Sequence, residues 1–294
     1  MVLADLPASA GDRDAAVVRV LSYNIRSLRD DREALVRVVR ACAPDVLCVQ
    51  EAPRHFRWRK AASWLARETG LVHTTGGATT AGPMLLTSLR AHVERSEDIL
   101  LPRIPGLHQR GLATAVLRFG GGHRGADAIR LGVVSCHLSL AEAERHDQAG
   151  MVLNHLAALG VPYTVLAGDI NDRPEGRAFR RLVGSLRDAW AAEPWGSELT
   201  YPQDRPRRRI DALFTTEGVE VLGCGVPAGL PGVTEADLRA ASDHLPVLAA
   251  LRLPRVSAAA PAGRAGTGRA PGGPRRRGPP GAAGGAGARG GGGR

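Results

Sequence analysis

Short apolar runs recur along the chain, and most of them stop at a polar residue. Val17 to Tyr23 stops at Asn24, Asp45 to Gln50 (DVLCVQ) at Glu51, and Ile129 to Cys136 at His137. Tyr163 to Ala167 is followed by Gly168 and then Asp169, whereas Asp243 and His244 precede Leu245 to Leu251. Runs this short, rich in β-branched residues, read as buried strands rather than core helices. Met84 to Thr87, Ala91 to Leu101, Leu112 to Phe119, Ile210 to Thr215 and Val219 to Gly223 extend the set. Helical spacing is confined to EALVRVVRAC (33–42), preceded by Asp30, to Phe56 to Glu68, and to Glu142 to Leu159. Strands therefore outnumber helices and do not alternate strictly with them. That order predicts an α/β layered fold with antiparallel pairing, not a simple doubly wound sheet. No internal repeat of fixed period interrupts it.

Charge separates the chain into parts. The whole sequence of 294 residues has a formal net charge of +10, which by itself points to a polyanionic partner. Its last 40 residues, however, hold 8 Arg and no acidic residue, with 14 Gly, 10 Ala and 5 Pro. The remainder carries 31 basic and 29 acidic side chains, a net of +2. Such a tail cannot bury enough apolar surface to fold. The expected organisation is a disordered N-terminal segment (1–14), one domain (15–254) and a disordered basic tail (255–294). The tail reads either as a solvated extension or as a nucleic-acid tether spanning roughly 35 Å.

The first residues, MVLADLPASAGDRDAA, lack the cationic start and apolar run of a signal peptide, and no stretch reaches the length of a membrane span. Cys42, Cys48, Cys136 and Cys224 form no CxxC pair and have no His at zinc spacing, so reduced core thiols are expected. A cytoplasmic, monomeric protein is the expectation that follows.

Polar residues at successive strand ends converge where grafted sites are usually built. Oxygen donors without thiolates suit a hard cation such as Mg²⁺ or Mn²⁺. Carboxylates with two histidines, and no Ser or Cys in an activating motif, suit metal-assisted attack by water.

SYNI (22–25), VQE (49–51), CHLSL (136–140), GDIND (168–172), RIDALF (209–214) and SDHLP (242–246) occur in that order. In this the chain resembles the endonuclease/exonuclease/phosphatase superfamily, the DNase I-like group of Mg²⁺-dependent phosphohydrolases. The resemblance implies a four-layer sandwich, two mixed and mostly antiparallel sheets packed face to face and flanked by helices. It implies Asn24, Glu51 and Asp243 at or near the metal, with Glu51 the direct carboxylate ligand. His137 would contact the scissile phosphate, Asp169 would orient or deprotonate water, and Asn171 would hydrogen-bond the phosphate. Asp211 would orient His244, which would act on phosphate or water; the general base stays open between these groups. Gly111 to Ala113 matches a recurrent Gly-x-Ala strand start, and Arg145 and Gln148 match a helical R..Q spacing.

The leading expectation is an endo- or exonuclease cutting phosphodiester bonds. The alternatives are a phosphatase or phosphodiesterase on inositol phosphates or phospholipid head groups (sphingomyelinase-like), and a non-catalytic nucleic-acid binding module. Arginine clusters at 54–60 and 205–209 could contact phosphate, although Arg is almost the only cation the chain uses, with Lys60 the single lysine. Substrate choice would lie in 70–82, 102–110 and 190–208, none of which carries a readable motif.

Overall fold

The apolar runs pair into two sheets in the computed structural model, which describes residues 6–11, 15–120 and 128–255. In chain order the described elements are β1 (Ala10–Gly11), β2 (Ala15–Asn24), α1 (Arg32–Cys42), β3 (Val46–Gln50), α2 (Trp58–Thr69), β4 (Val72–Gly76) and β5 (Met84–Thr87). There follow β6 (His92–Leu100), β7 (Gly111–Phe119), β8 (Ile129–His137), α3 (Glu142–Ala158), β9 (Tyr163–Asp169), α4 (Arg177–Val183) and β10 (Arg187–Asp188). The chain closes with α5 (Ala189–Ala192), β11 (Asp211–Thr215), β12 (Glu220–Gly225), α6 (Glu235–Ala241) and β13 (Val247–Pro254).

One sheet has the order β12-β13-β2-β3-β5-β4, with β1 added on β2; the other runs β10-β11-β9-β8-β7-β6. Each contains one parallel pair, β2/β3 and β8/β9, and is otherwise antiparallel. Parallel neighbours need a crossover, and α1 and α3 supply it.

Alternate residues of the central strands go to different cores. Val18 and Val20 face the layer between the sheets, with Cys48, Leu85, Ala115, Val133 and Val165. Leu21 and Tyr23 face outward, against Leu35 and Val39 of α1, Leu65 of α2 and Leu238 of α6. On the far side Val134 and Leu166 pack against Val152 of α3 and Phe179 of α4. Both faces of each sheet are therefore covered, which is why the strands read as continuous apolar runs. The result is the expected four-layer sandwich.

The boundaries differ from expectation where long-range contacts decide. Residues 6–11 of the expected disordered N-terminal segment are ordered. Leu6 is buried in the outer core, β1 pairs with β2, and the buried Arg19 donates hydrogen bonds to the carbonyls of Leu6 and Pro7. Residues 256–294, nearly all of the tail, lie outside the described residues, as do 1–5 and 12–14. Asp31 rather than Asp30 caps α1, accepting from the backbone NH groups of Glu33 and Ala34. α2 starts at Trp58, because Arg57 takes a left-handed φ of 62° and leaves Phe56 exposed. β4, α4 and α6 were not expected: each is only five to seven residues long, too short to show a clear apolar period, and packing rather than pattern stabilises it. β6 carries a mainly exposed, charged sequence, as suits a sheet edge. Among the described residues no helix is long and apolar enough to cross a membrane. All four cysteines are free and buried.

Candidate active site

The two parallel pairs bring their C-terminal ends to one edge of the sandwich. Asn24 is in register with Gln50, which precedes Glu51, and His137 is in register with Asp169. Side chains just past such ends project into the space beyond the sheets, where ligands bind in α/β folds. The turns that follow are tight. Glu51 and Asn171 hold positive φ of 55° and 53°, a sparsely populated conformation for residues with side chains. Hydrogen bonds over-determine them: Ser27 NH donates to Glu51 C=O, and the Asn171 side chain donates from Nδ2 to Leu138 C=O.

Asp169 lies at the centre, buried. Its Oδ1 accepts from Asn171 NH at 2.9 Å. Its Oδ2 accepts from Asn24 Nδ2 at 3.2 Å and lies 3.4 Å from His137 Nε2 and 3.9 Å from His244 Nε2. Asn24 Nδ2 also donates to Glu51 Oε1 at 3.2 Å, so one amide ties the two carboxylates. His244 Nδ1 donates to Asp211 Oδ2 at 2.9 Å, and the Tyr201 ring lies against the His244 ring, tilted by 48° with centroids 4.8 Å apart. Behind the turn after His137, Gln148 accepts from Ser139 NH and Arg145 donates to the carbonyls of Ser139 and Leu140, so these two residues of α3 support the site.

These groups border a cavity of about 400 Å³. Glu51, His137, Asp169, Asn171, Asp243 and His244 line it, while Asn24 and Asp211 stand behind its wall. The Asp243 carboxylate is also engaged with Arg26, 3.4 Å from its Nε.

Electrostatics separates the titratable groups. Burial, and then the charge of Asp211, hold the Asp169 carboxyl above its ordinary range, against His244 and the hydrogen bonds from Asn171 and Asn24. Burial works against charge on His244, but Asp211, with Asp169 and Asp243, outweighs it and raises the imidazole to about 10. Burial and then Arg110 push His137 well down, so it is neutral.

The sequence profile of the Endonuclease/Exonuclease/phosphatase family matches residues 21–244. The chain belongs to this family. Its members are metal-dependent phosphoester hydrolases, and the chain is accordingly a metal-dependent hydrolase acting on phosphoric ester bonds. Solved family structures share the fold. An endonuclease/exonuclease/phosphatase protein of Bacteroides vulgatus is 21% identical, with a TM-score of 0.59, over 81% of this chain and 99% of that one. A mannosyl-6-phosphatase of Bacteroides thetaiotaomicron is 17% identical, with a TM-score of 0.60, over 80% and 99%. Truncated TDP2 of Caenorhabditis elegans is 19% identical, with a TM-score of 0.57, over 80% and 97%. Among curated proteins none matches significantly.

The donor set of this family member fits a divalent cation. Ligand atoms of Asp169, Asp211 and His244 lie within 4.8 Å of one another; His244, protonated and bonded to Asp211, offers no lone pair, which leaves the carboxylate oxygens, and Asp211 Oδ1 is buried without a hydrogen-bond partner among the described residues. The set is rich in carboxylate oxygen, with Glu51 Oε1 bridged to it through Asn24.

Sequence reasoning missed one feature of this family site. Arg110 lines the cavity, is 9% exposed, and has an Nε without a hydrogen-bond partner. Burial lowers the proton affinity of its guanidinium, while Asp169 and Glu51 sustain the charge. Its position depends on Gly111, where a Cβ would meet the carbonyl oxygens of Ile99 and Thr80 at 2.4 Å. An arginine bias throughout the chain hides such a residue. Of the two arginine clusters, Arg54 and Arg208 line the cavity. Arg209 instead is buried against Asp188, beneath Trp190 and Phe179. Trp58 packs beside Gly77, and Trp64 packs partly buried on the outer core.

Proposed function

We propose that the chain is a Mg²⁺-dependent phosphodiesterase whose substrate is nucleic acid, acting as an endo- or exonuclease. One observation carries the reading: the cavity is lined both by carboxylates, Glu51, Asp169 and Asp243, and by arginines, Arg54, Arg110 and Arg208. A phosphodiester seated between them would be held by the cation and by guanidinium donors together. Glu51 would hold Mg²⁺, with Asn24 and Asp243 nearby, and Mn²⁺ would substitute. When bound, the ion supplies Lewis-acid polarisation of a phosphate oxygen.

The chain's own residues supply the rest. Asp169 orients the attacking water and accepts its proton, a role suited to a carboxyl whose proton affinity is raised. His244, already protonated and held by Asp211, donates from Nε2 to phosphate oxygen. Neutral His137 and Asn171 hydrogen-bond the phosphate as charge develops. The proposal takes the protein as a cytoplasmic monomer. It is tested by Mg²⁺-dependent cleavage of plasmid, linear and single-stranded DNA and of RNA, with EDTA and His137→Ala as controls. Cleavage of at least one, lost in both controls, is expected; no turnover above the controls on any of them overturns it.

A second reading keeps the chemistry and changes the substrate to a sugar phosphate, inositol phosphate or lipid head group. It is favoured by the likeness to the Bacteroides mannosyl-6-phosphatase and by a cavity volume of about 400 Å³, enough for such a group. It predicts phosphate release from small phosphomonoesters with nucleic acids left intact.

A further inference from the structure

We propose that a groove beside the catalytic cavity, walled by Arg173, Arg207 and Arg208, binds a second phosphate group of the substrate, adjacent to the one hydrolysed. The inference rests on the phosphodiesterase reading and narrows it, since a substrate with two phosphates in sequence is a strand rather than an isolated ester. The groove encloses about 200 Å³, and Arg208 lines both it and the catalytic cavity.

Its charge is unbalanced. Arg209, also in its wall, is neutralised by Asp188, which accepts from both of its terminal nitrogens. Arg173, Arg207 and Arg208 then face two carboxylates, Glu175 and Glu198, the latter 3.7 Å from Arg209 Nη1, and among the described residues none of the three arginines forms an ion pair. Planar guanidinium groups left unpaired in a concavity match the oxygens of phosphate.

The backbone holds these arginines in place. Arg207 NH and Arg208 NH both donate to Tyr201 C=O at 2.9 Å, closing the 201–208 turn. Arg173 follows Asp172, whose Oδ2 accepts from Ala178 NH at 2.9 Å at the start of α4, and it lies two residues beyond Asn171. Ring contacts link the groove to the reacting groups: the Arg208 guanidinium lies 5.5 Å from the Tyr201 ring centroid, and Tyr201 lies against His244. A substrate phosphate at His244 therefore has its neighbour's position marked by Arg208.

The test compares a dinucleotide, with one phosphodiester and no flanking phosphate, and a single-stranded eight-nucleotide oligomer. In the Arg173→Ala/Arg207→Ala double variant, kcat/KM on the oligomer should fall about ten-fold, the loss of one or two charge-assisted hydrogen bonds, with the dinucleotide unchanged. The log–log salt slope on the oligomer should become shallower by about 1–2 units. Glu175→Gln should act in the opposite sense, raising kcat/KM on the oligomer only. Equal effects on both substrates, or none, overturn the groove. If the wild type cleaves neither but hydrolyses inositol phosphates, the nuclease reading has failed. The same variants then compare a vicinal inositol bisphosphate with a monophosphate: selective loss on the bisphosphate upholds the groove, and equal rates overturn it.

Discussion

Asp211 Oδ2 and His244 Nδ1 lie 2.9 Å apart, both buried, and the bond crosses between the two sheets. Asp211 opens β11 of one sheet, and His244 immediately precedes β13 of the other. A carboxylate in this position fixes which imidazole nitrogen faces the cavity. Asp211→Asn should keep the fold and lower kcat by up to about 10⁴-fold, the loss seen when a catalytic histidine loses its orienting carboxylate. Steady-state kinetics with a circular-dichroism control checks it; a loss under ten-fold would remove Asp211 from the mechanism.

The same pair makes stability depend on pH. The imidazole of His244 is raised from 6.5 to about 10 in the fold. A raised folded-state value gives stability that is fully present below about 6.5 and lost as pH rises through about 10. Asp169, raised from 3.8, loses its contribution in the same direction but from a lower pH. In metal-free buffer Tm should fall between pH 6.5 and 10, and His244→Asn should flatten that slope. A variant with the wild-type slope would refute the assignment.

Arg110 is expected to oppose stability while serving substrate binding. A buried guanidinium with an unsatisfied Nε carries a desolvation cost that an apolar side chain of similar length does not. Arg110→Met should therefore leave Tm unchanged or higher while activity falls about 10²–10³-fold. Calorimetry beside kinetics separates this from a structural role, which would lower both.

Metal binding should register without turnover. Mg²⁺ at about 100 times its Kd should stabilise the fold by about 2.7 kcal/mol, visible as a rise in Tm. Glu51→Gln should remove most of that rise. An equal rise in the variant would show that the ion is held elsewhere.

Gly168 precedes Asp169 in β9, and a Cβ there would lie 2.1 Å from the Cys136 carbonyl oxygen. Strand β8 is fixed by pairing on both sides, so neither backbone can yield. Gly168→Ala should cost roughly 3 kcal/mol or more, measured by urea unfolding. Retention of wild-type stability would mean that β8 and β9 separate more easily than their pairing implies.

The strand runs, their polar stops and the motif order were legible because they are local. Period, β-branching and a following polar residue all lie within a few positions of one another, and Asn24, Glu51, His137 and Asp169 could be read off strand ends. β4 and α6 were not legible, since VHTTG and EADLRAA carry too little apolar pattern and exist through their packing. The ordering of 6–11 depends on Arg19, distant in sequence, and its carbonyl contacts.

By itself, then, the sequence determined which residues would stand at strand ends and which family chemistry they match. Only the tertiary structure decided how those ends meet. Parallel pairing in each sheet put four ends on one edge, and packing the sheets face to face brought Asp211 to His244 and Asn24 to Asp169. It also left Arg110 buried, with an Nε that has no hydrogen-bond partner among the described residues, a property with no local signature, because burial and hydrogen-bond partners are set by the surrounding fold.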